Sequence, residues 1–531
     1  MTNDPATVIA EQPSHPQEGG SRRALPAWLL SICVHGAALG VMALIVYATA
    51  PEMDEPVVRT HPIEPVAVDR PEPEPDPVEK PPMVPIPLDE AIEPTPVALV
   101  EPEDVTEHET DDVSEVSEPV GRPDAVAASE MGGAGMLPAI GAGGGAPGAY
   151  GTRSGSGRKR ATQTYDPGPG GEQRLRAIER ALRWFKRHQS PNGQWDVDGY
   201  QANCQEPGAK CEPGSEHTGA DGDLACTAYA VLCYLGAGHD HRTPSVYRAT
   251  VRKGLDWLVA QQAPDGLWGA RNYEHAIVTM AIAEAYGMSQ DTRLREPAEK
   301  GIAVILARQA KDGAGYGLGW DYAGPNPARN DASVSGWNIM ALKSARASGL
   351  DVGNGLEGSA QYLERAWTAA NPGLDRRKLD PYSGTSVFPY VWDSVTGAVQ
   401  VQPGAAQHDL SCVGAISAVF LGRRAGDPLL NSLANHIDRT QYPTAYPTNT
   451  YYLYYNSMAM FQLGRARFEK WNKPIARMLE GAQRADACFD GSWDYEGTVF
   501  HGHRTGRLLS TAYACLTLEV IHRWQPLGDA R

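Results

Sequence analysis

Little in this sequence offers positive charge to a partner. Its 47 Lys and Arg face 64 Asp and Glu, a formal charge of −17 at pH 7. No basic stripe stands out, which argues against a nucleic acid partner. The acidity is local: residues 51–130 hold 23 acidic and 4 basic residues, leaving 41 acidic and 43 basic elsewhere. Charge of either sign is missing from Leu25 to Ala50. Roughly 20 apolar residues cross a bilayer core, so this run predicts a single membrane span. Arg22 and Arg23 precede it, while Glu52, Asp54 and Glu55 follow. That asymmetry puts the N-terminus in the cytoplasm and the rest outside the inner membrane, in the periplasm. The run is longer than the apolar core of a signal peptide, and Pro51 is a poor residue to follow a cleavage site. The expectation is a retained anchor.

Cysteine is scarce as well, with eight in the chain. Most lie in apolar helical runs, where Cys acts as a small buried hydrophobe. Cys204 and Cys211 instead bracket a polar loop, QEPGAK, and are candidates for a short disulfide in an oxidising compartment; free thiols are the other reading. The pairs His239-x-His241 and His501-x-His503 lack nearby thiolate partners in sequence. No metal and no cofactor is expected.

Composition divides the chain. Residues 1–24 form a cytoplasmic tail and 25–50 the span. Residues 51–131, with stretches such as PEPEPDPVEK, cannot bury enough apolar surface to fold and read as a disordered, extended stalk. Residues 132–171 read as a Gly-rich flexible joint. Residues 172–531 form the folded domain. Within the span, Ser31 and His35 lie one helical turn apart. This spacing with a Pro- and Glu-rich stalk resembles the anchor of the energy-transducing protein TonB. The resemblance implies a proton-driven motor complex as partner; the plainer reading is that His35 packs on a neighbouring helix.

The folded domain repeats itself. RALRWFKRHQSPNGQW carries Gln189 and Trp195, and KGLDWLVAQQAPDGLW carries Gln262 and Trp268 at the same spacing. A third unit keeps Gln309 and Gly313 and ends at Tyr316, and a fourth has Gln483, Gly491 and Trp493. Weaker units fall near residues 355–369 and 427–440. Each reads as an amphipathic helix stopped by a Pro/Gly turn. Between them run six more apolar, small-residue helices, which must be buried. Six inner helices sheathed by six outer ones predict an all-α (α/α)6 toroid.

The repeat, with its Gln and following Gly-x-Trp, resembles the QW motif of squalene-hopene cyclases. Residues 172–531 resemble the prenyltransferase and squalene oxidase repeat superfamily, whose fold is the terpenoid cyclase/protein prenyltransferase toroid. The resemblance implies an acidic Asp-x-Asp-Asp-Thr-Ala motif at an inner helix start. Here the match is Asp221-Gly222-Asp223-Leu224-Ala225-Cys226, which lacks the third Asp. Helix capping is the alternative role for these two acids. The zinc set implied by protein prenyltransferases is not found, because His408-Asp409-Leu410-Ser411-Cys412 has the wrong spacing.

The resemblance also implies a cavity lined at the inner-helix N-termini. The candidates there are Asp221, Asp223, His275, Asp331 and Asp409 for catalysis. Tyr273, Glu274, Trp337, His408, Tyr451, Tyr452, Tyr454 and Tyr455 are candidates for a ligand pocket. Carboxylates beside aromatics suit glycan chemistry; capping or core packing is the alternative for each. The leading expectation is an extracytoplasmic binding or scaffold module that meets an envelope polymer, lipid or protein. The second is an enzyme acting on a polysaccharide or an isoprenoid lipid.

Overall fold

A computed structural model describes residues 150–215, 220–404, 407–495 and 502–524. The span, Ser31, His35 and the stalk lie outside the described residues. Thirteen helices are used below: α1 Gly155–Tyr165, α2 Pro169–His188, α3 Ala220–Gly236, α4 Arg248–Ala260, α5 Asn272–Ser289, α6 Arg295–Arg308, α7 Ala332–Ala347, α8 Gly355–Ala370, α9 Ser411–Phe420, α10 Pro428–Thr440, α11 Thr450–Gln462, α12 Arg465–Ala482 and α13 Arg507–Leu518. The odd-numbered helices from α3 to α13 pack each on the next, and α13 packs back on α3. The even-numbered helices from α2 to α12 sheathe this inner ring. The chain therefore carries the (α/α)6 toroid of the terpenoid-cyclase type. None of the helices among the described residues is long and apolar enough to cross a membrane.

The sequence pattern explains the two layers. α5 buries every side chain from Ala276 to Ala285, as a helix enclosed on all sides must. The outer α2 buries one stripe, including Ile178, Ala181, Leu182 and Phe185. The repeated Gln and Trp join the layers by a recurring set of bonds. Gln262 Nε2 donates to the Gly266 carbonyl of its own turn and to the Pro297 carbonyl of the next outer helix, both at 3.0 Å. Gln189, Gln309 and Gln483 make the same double bond. The Trp268 indole donates to Leu258 O at 2.7 Å, while its ring fits against Gly301 of the next outer helix. A Cβ at Gly301 would stand 2.7 Å from that ring, which is why the repeat calls for a small residue there. Each aromatic backbone amide is received by an inner helix: Trp195 by Thr227, Trp268 by His275, Trp320 by Ser335, Phe388 by Ser411 and Trp493 by Thr511.

Two expectations are corrected here. The third turn is completed by Trp320, whose indole donates to Ile305 O at 2.8 Å, and not by Tyr316, which is 58% exposed. A short Lys311–Gly317 bridge lengthens this turn and displaces the aromatic along the sequence. Residues 155–165, assigned by composition to a flexible joint, form helix α1.

That segment closes one end of the ring. The Tyr150 hydroxyl donates to Ser344 O and bonds Ser348, and Thr162 bonds His522 at 3.0 Å. Arg153 enters the barrel and pairs with Glu284 at 2.7 Å, and Arg523 pairs with the same carboxylate at 3.0 Å; all three are buried. Burial alone would raise the Glu284 pKa, but the two guanidinium groups outweigh it and hold the carboxyl below its usual value. All these partners sit where inner helices end, so this face is shut.

Replacing Trp320 with Ala should cost about 3–5 kcal/mol in denaturant unfolding, as for a large buried aromatic. Tyr316→Ala should stay within about 0.5 kcal/mol. The reverse order would contradict the assignment of the third turn.

Candidate functional site

At the other face of the ring, where the inner helices begin, Asp223 and His408 keep contact with solvent. Asp223, in the first turn of α3, is partly exposed and accepts a 2.8 Å bond from the Val197 amide. Val197 belongs to the segment Asp196-Val197-Asp198 that follows Trp195. Burial first, then the charges of Asp196 and Asp198, push the Asp223 carboxyl up to about 6. Burial also raises Asp196, helped by a hydrogen bond with Asp198. Burial and the neighbouring charges of Asp196 and Asp198 thus let Asp223 hold its proton into mildly acidic conditions, up to about pH 6. Asp196 and Asp198 were not among the sequence candidates. The available signal was an Asp-x-Asp placed directly after a repeat Trp, on the same ring face as Asp221-Gly222-Asp223. The Asp221 side chain lies outside the described residues.

The remaining candidates have other tasks. His275 is fully buried; its Nδ1 accepts from the Trp268 amide at 3.2 Å and its Nε2 donates to Gly301 O at 2.9 Å. Burial holds its pKa down at about 4, so it is a neutral strut between layers rather than a cavity residue. Asp331, at the first strand of a small sheet (β1 Asn330–Asp331, β2 Val391–Trp392, β3 Val399–Gln400, antiparallel in that order), caps α7. It accepts from Ser333 N at 2.9 Å and Val334 N at 3.2 Å and pairs with Arg329 at 3.0 Å. Asp409 bonds Ser411 N at 3.0 Å and pairs with His436 at 2.7 Å. Glu274 is buried and pairs with Arg271. His408 is exposed, and its ring meets Tyr452 edge-on at 5.3 Å.

The aromatic candidates do converge, on the barrel axis. Trp337 of α7 meets Tyr273 of α5 at 6.3 Å, Tyr229 of α3 at 5.4 Å and Tyr455 of α11 at 5.7 Å. Tyr451 and Tyr454 pack on Tyr455 and on Tyr513. Two of the Trp337 contacts join inner helices that are not neighbours, so rings fill the axis at this level. The Tyr273 and Tyr455 hydroxyls and the Trp337 Nε1 make no well-formed hydrogen bond among the described residues. Buried polar groups in that state call for a water or a ligand hydroxyl.

Of the two readings of Cys204 and Cys211, the structure carries the free thiols. With His188 and Cys488 they form one buried group whose ligand atoms all lie within 4.8 Å of one another. Three segments supply the residues, and only the Cys204–Cys211 spacing is local.

Comparison with known proteins places this geometry. Residues 169–282, helices α2 to α5, match the family model of the squalene-hopene cyclase C-terminal domain. No curated protein matches the chain. Among solved structures, an alpha-1,6-mannanase of Salegentibacter sp. HEL1_6 is similar at 11% identity and TM-score 0.44, over 65% of this chain and 98% of that one. A D-mannose isomerase is similar at 12% identity and TM-score 0.45, over 66% and 96%. An endo-beta-1,4-glucanase from Acetobacter xylinum is similar at 13% identity and TM-score 0.36, over 65% and 97%. Likeness at this level decides nothing about chemistry.

The raised Asp223 carboxyl has a measurable sign. The folded chain keeps a proton between about pH 4 and 6 that the unfolded chain has lost, so stability falls as pH rises through that window. Asp223→Asn removes this slope and should gain on wild type as pH climbs from 4 to 7 in parallel denaturant titrations. Parallel profiles for the two proteins would show that Asp223 titrates normally.

Proposed function

We propose that the toroid is a carbohydrate-active enzyme that hydrolyses a neutral polysaccharide at the face where the inner helices begin. The carboxylate cluster of Asp196, Asp198 and Asp223 carries this reading. A protonated carboxyl beside an ionised one is the pairing that glycoside hydrolysis needs. Asp223 serves as the acid that protonates the leaving oxygen, and Asp196 or Asp198 as the base that takes a proton from the attacking water. The cluster of tyrosine and tryptophan rings around Trp337 suits the face of a sugar ring. A cluster of carboxylates repels uronic acids, which favours an uncharged substrate.

Two alternatives lose support on the same geometry. A terpene-type cyclization needs a dry chamber long enough for an isoprenoid, but rings bridging non-neighbouring helices occupy the axis. A scaffold role leaves the raised Asp223 carboxyl without a task. In this reading the segment 25–50 anchors the enzyme in the inner membrane, and the stalk carries it into the periplasm toward envelope polymers.

Reducing-end release from a panel of neutral oligosaccharides tests the proposal. The wild-type protein should cleave at least one. Asp223→Asn should lose about 100-fold or more in rate, the scale of a missing general acid, while still binding the same sugar. Binding without cleavage by the wild-type protein would leave a carbohydrate-binding module and end the hydrolase reading.

A further inference from the structure

The group formed by His188, Cys204, Cys211 and Cys488 takes no part in the chemistry above, though its loop is tied back to Val197 through the Gly214 amide at 2.9 Å. His188 is the last residue of α2, in the first hairpin, and Cys204 and Cys211 are in the loop that follows that hairpin's turn. Cys488 lies between Gln483 and Gly491 in the turn of the last hairpin. The cluster therefore spans the seam where the ring closes.

Its geometry is that of a ligand set. The His188 Nδ1 donates to the Trp184 carbonyl at 2.8 Å, which fixes the tautomer and leaves Nε2 as a lone-pair donor. That Nε2 stands 3.2 Å from Cys488 Sγ, 3.3 Å from Cys204 Sγ and 3.4 Å from Cys211 Sγ. Zn–N and Zn–S bonds of about 2.0 and 2.3 Å at tetrahedral angles put such atoms roughly 3.5 Å apart. The Cys488 thiol donates to Glu206 Oε2 at 3.2 Å, a proton that a bound metal ion would displace. The Cys211 amide donates to Cys204 Sγ at 3.3 Å, and the Lys210 ammonium reaches the Cys204 carbonyl. Arg187 pairs with Glu206 at 2.7 Å and Arg507 with Glu212 at 2.9 Å, both on this loop. The Trp184 indole stacks on the His188 ring at 4.3 Å and donates to Cys488 O at 3.0 Å.

We propose that these four residues bind one zinc ion in a closed, structural Cys3His site that fastens the first helical hairpin to the last. All four are buried and all four corners are taken by protein, so no position is left for a water or substrate, unlike a catalytic zinc. A binuclear iron–sulfur cluster would hold two of its ligands farther apart than any pair here. The zinc proposal does not depend on a hydrolytic role for the ring.

Metal analysis of the full-length protein, purified in detergent without chelator, tests the proposal. About one zinc per chain is expected, as for a tight structural site, and Cys412→Ser, outside the cluster, should keep it. Cys488→Ser and His188→Ala should lose it. To keep the test independent of how those variants fold, the wild-type protein is also stripped with a chelator and refilled with cobalt alone. Tetrahedral ligand-field bands with thiolate-to-cobalt charge transfer are expected, and iodoacetamide should reach Cys204, Cys211 and Cys488 only after stripping. Zinc-free protein with a Cys204–Cys211 disulfide by mass spectrometry overturns the proposal, as does a cobalt spectrum without charge transfer.

Discussion

A ring of hairpins must close on itself, and the rest of this structure depends on that closure. Within the ring each turn can lean on the next, as Gln262 does on the outer helix that follows. At the seam the last turn has to find the first helix across about 300 residues of chain, the separation of Gln483 and its acceptor, Ala177 O. Several bonds converge there. Trp184 donates to Cys488 O, and Arg174 reaches Leu518 O at 2.8 Å and Asn472 at 2.7 Å. Closing a long loop costs chain entropy before any contact rewards it, so the seam is where strong, directional ligands have most to offer.

Closure also makes the two faces of the ring unlike. One face is sealed by Tyr150–Tyr165, whose Arg153 neutralises a carboxylate inside the barrel. Removing a charge from such a buried group leaves its partners unpaired at high cost, so the seal is part of the core rather than an ornament on it. The other face keeps its acids near water and near one another. Helix capping absorbs Asp331, and bonding within the core absorbs His275. What remains at the mouth is a carboxylate group in which Asp223 is pushed up to about 6.

The fold was legible in the sequence because the Gln-to-Trp turn is local: helix, stop, glutamine and ring all fall within about one repeat. Trp320 was misassigned for the same reason, since the bridge at Lys311 and Gly317 broke the local spacing. The site was legible only in part. Asp223 was singled out by its helix start, yet its partners Asp196 and Asp198 come from a preceding turn. His275 read as a cavity residue because sequence shows a helix end but not which side of the helix a ring faces. Of the His188 group only Cys204 and Cys211 were singled out, because Cys488 lies some 300 residues along the chain from His188.

The central claim is that the ring works at the face where its inner helices begin. The most direct measurement is the position of a bound neutral oligosaccharide in crystals of the soaked protein. Sugar density over Asp196, Asp198, Asp223 and Tyr273 is the result this account predicts. Sugar bound instead at the face sealed by residues 150–165, with the carboxylate mouth empty, would contradict it.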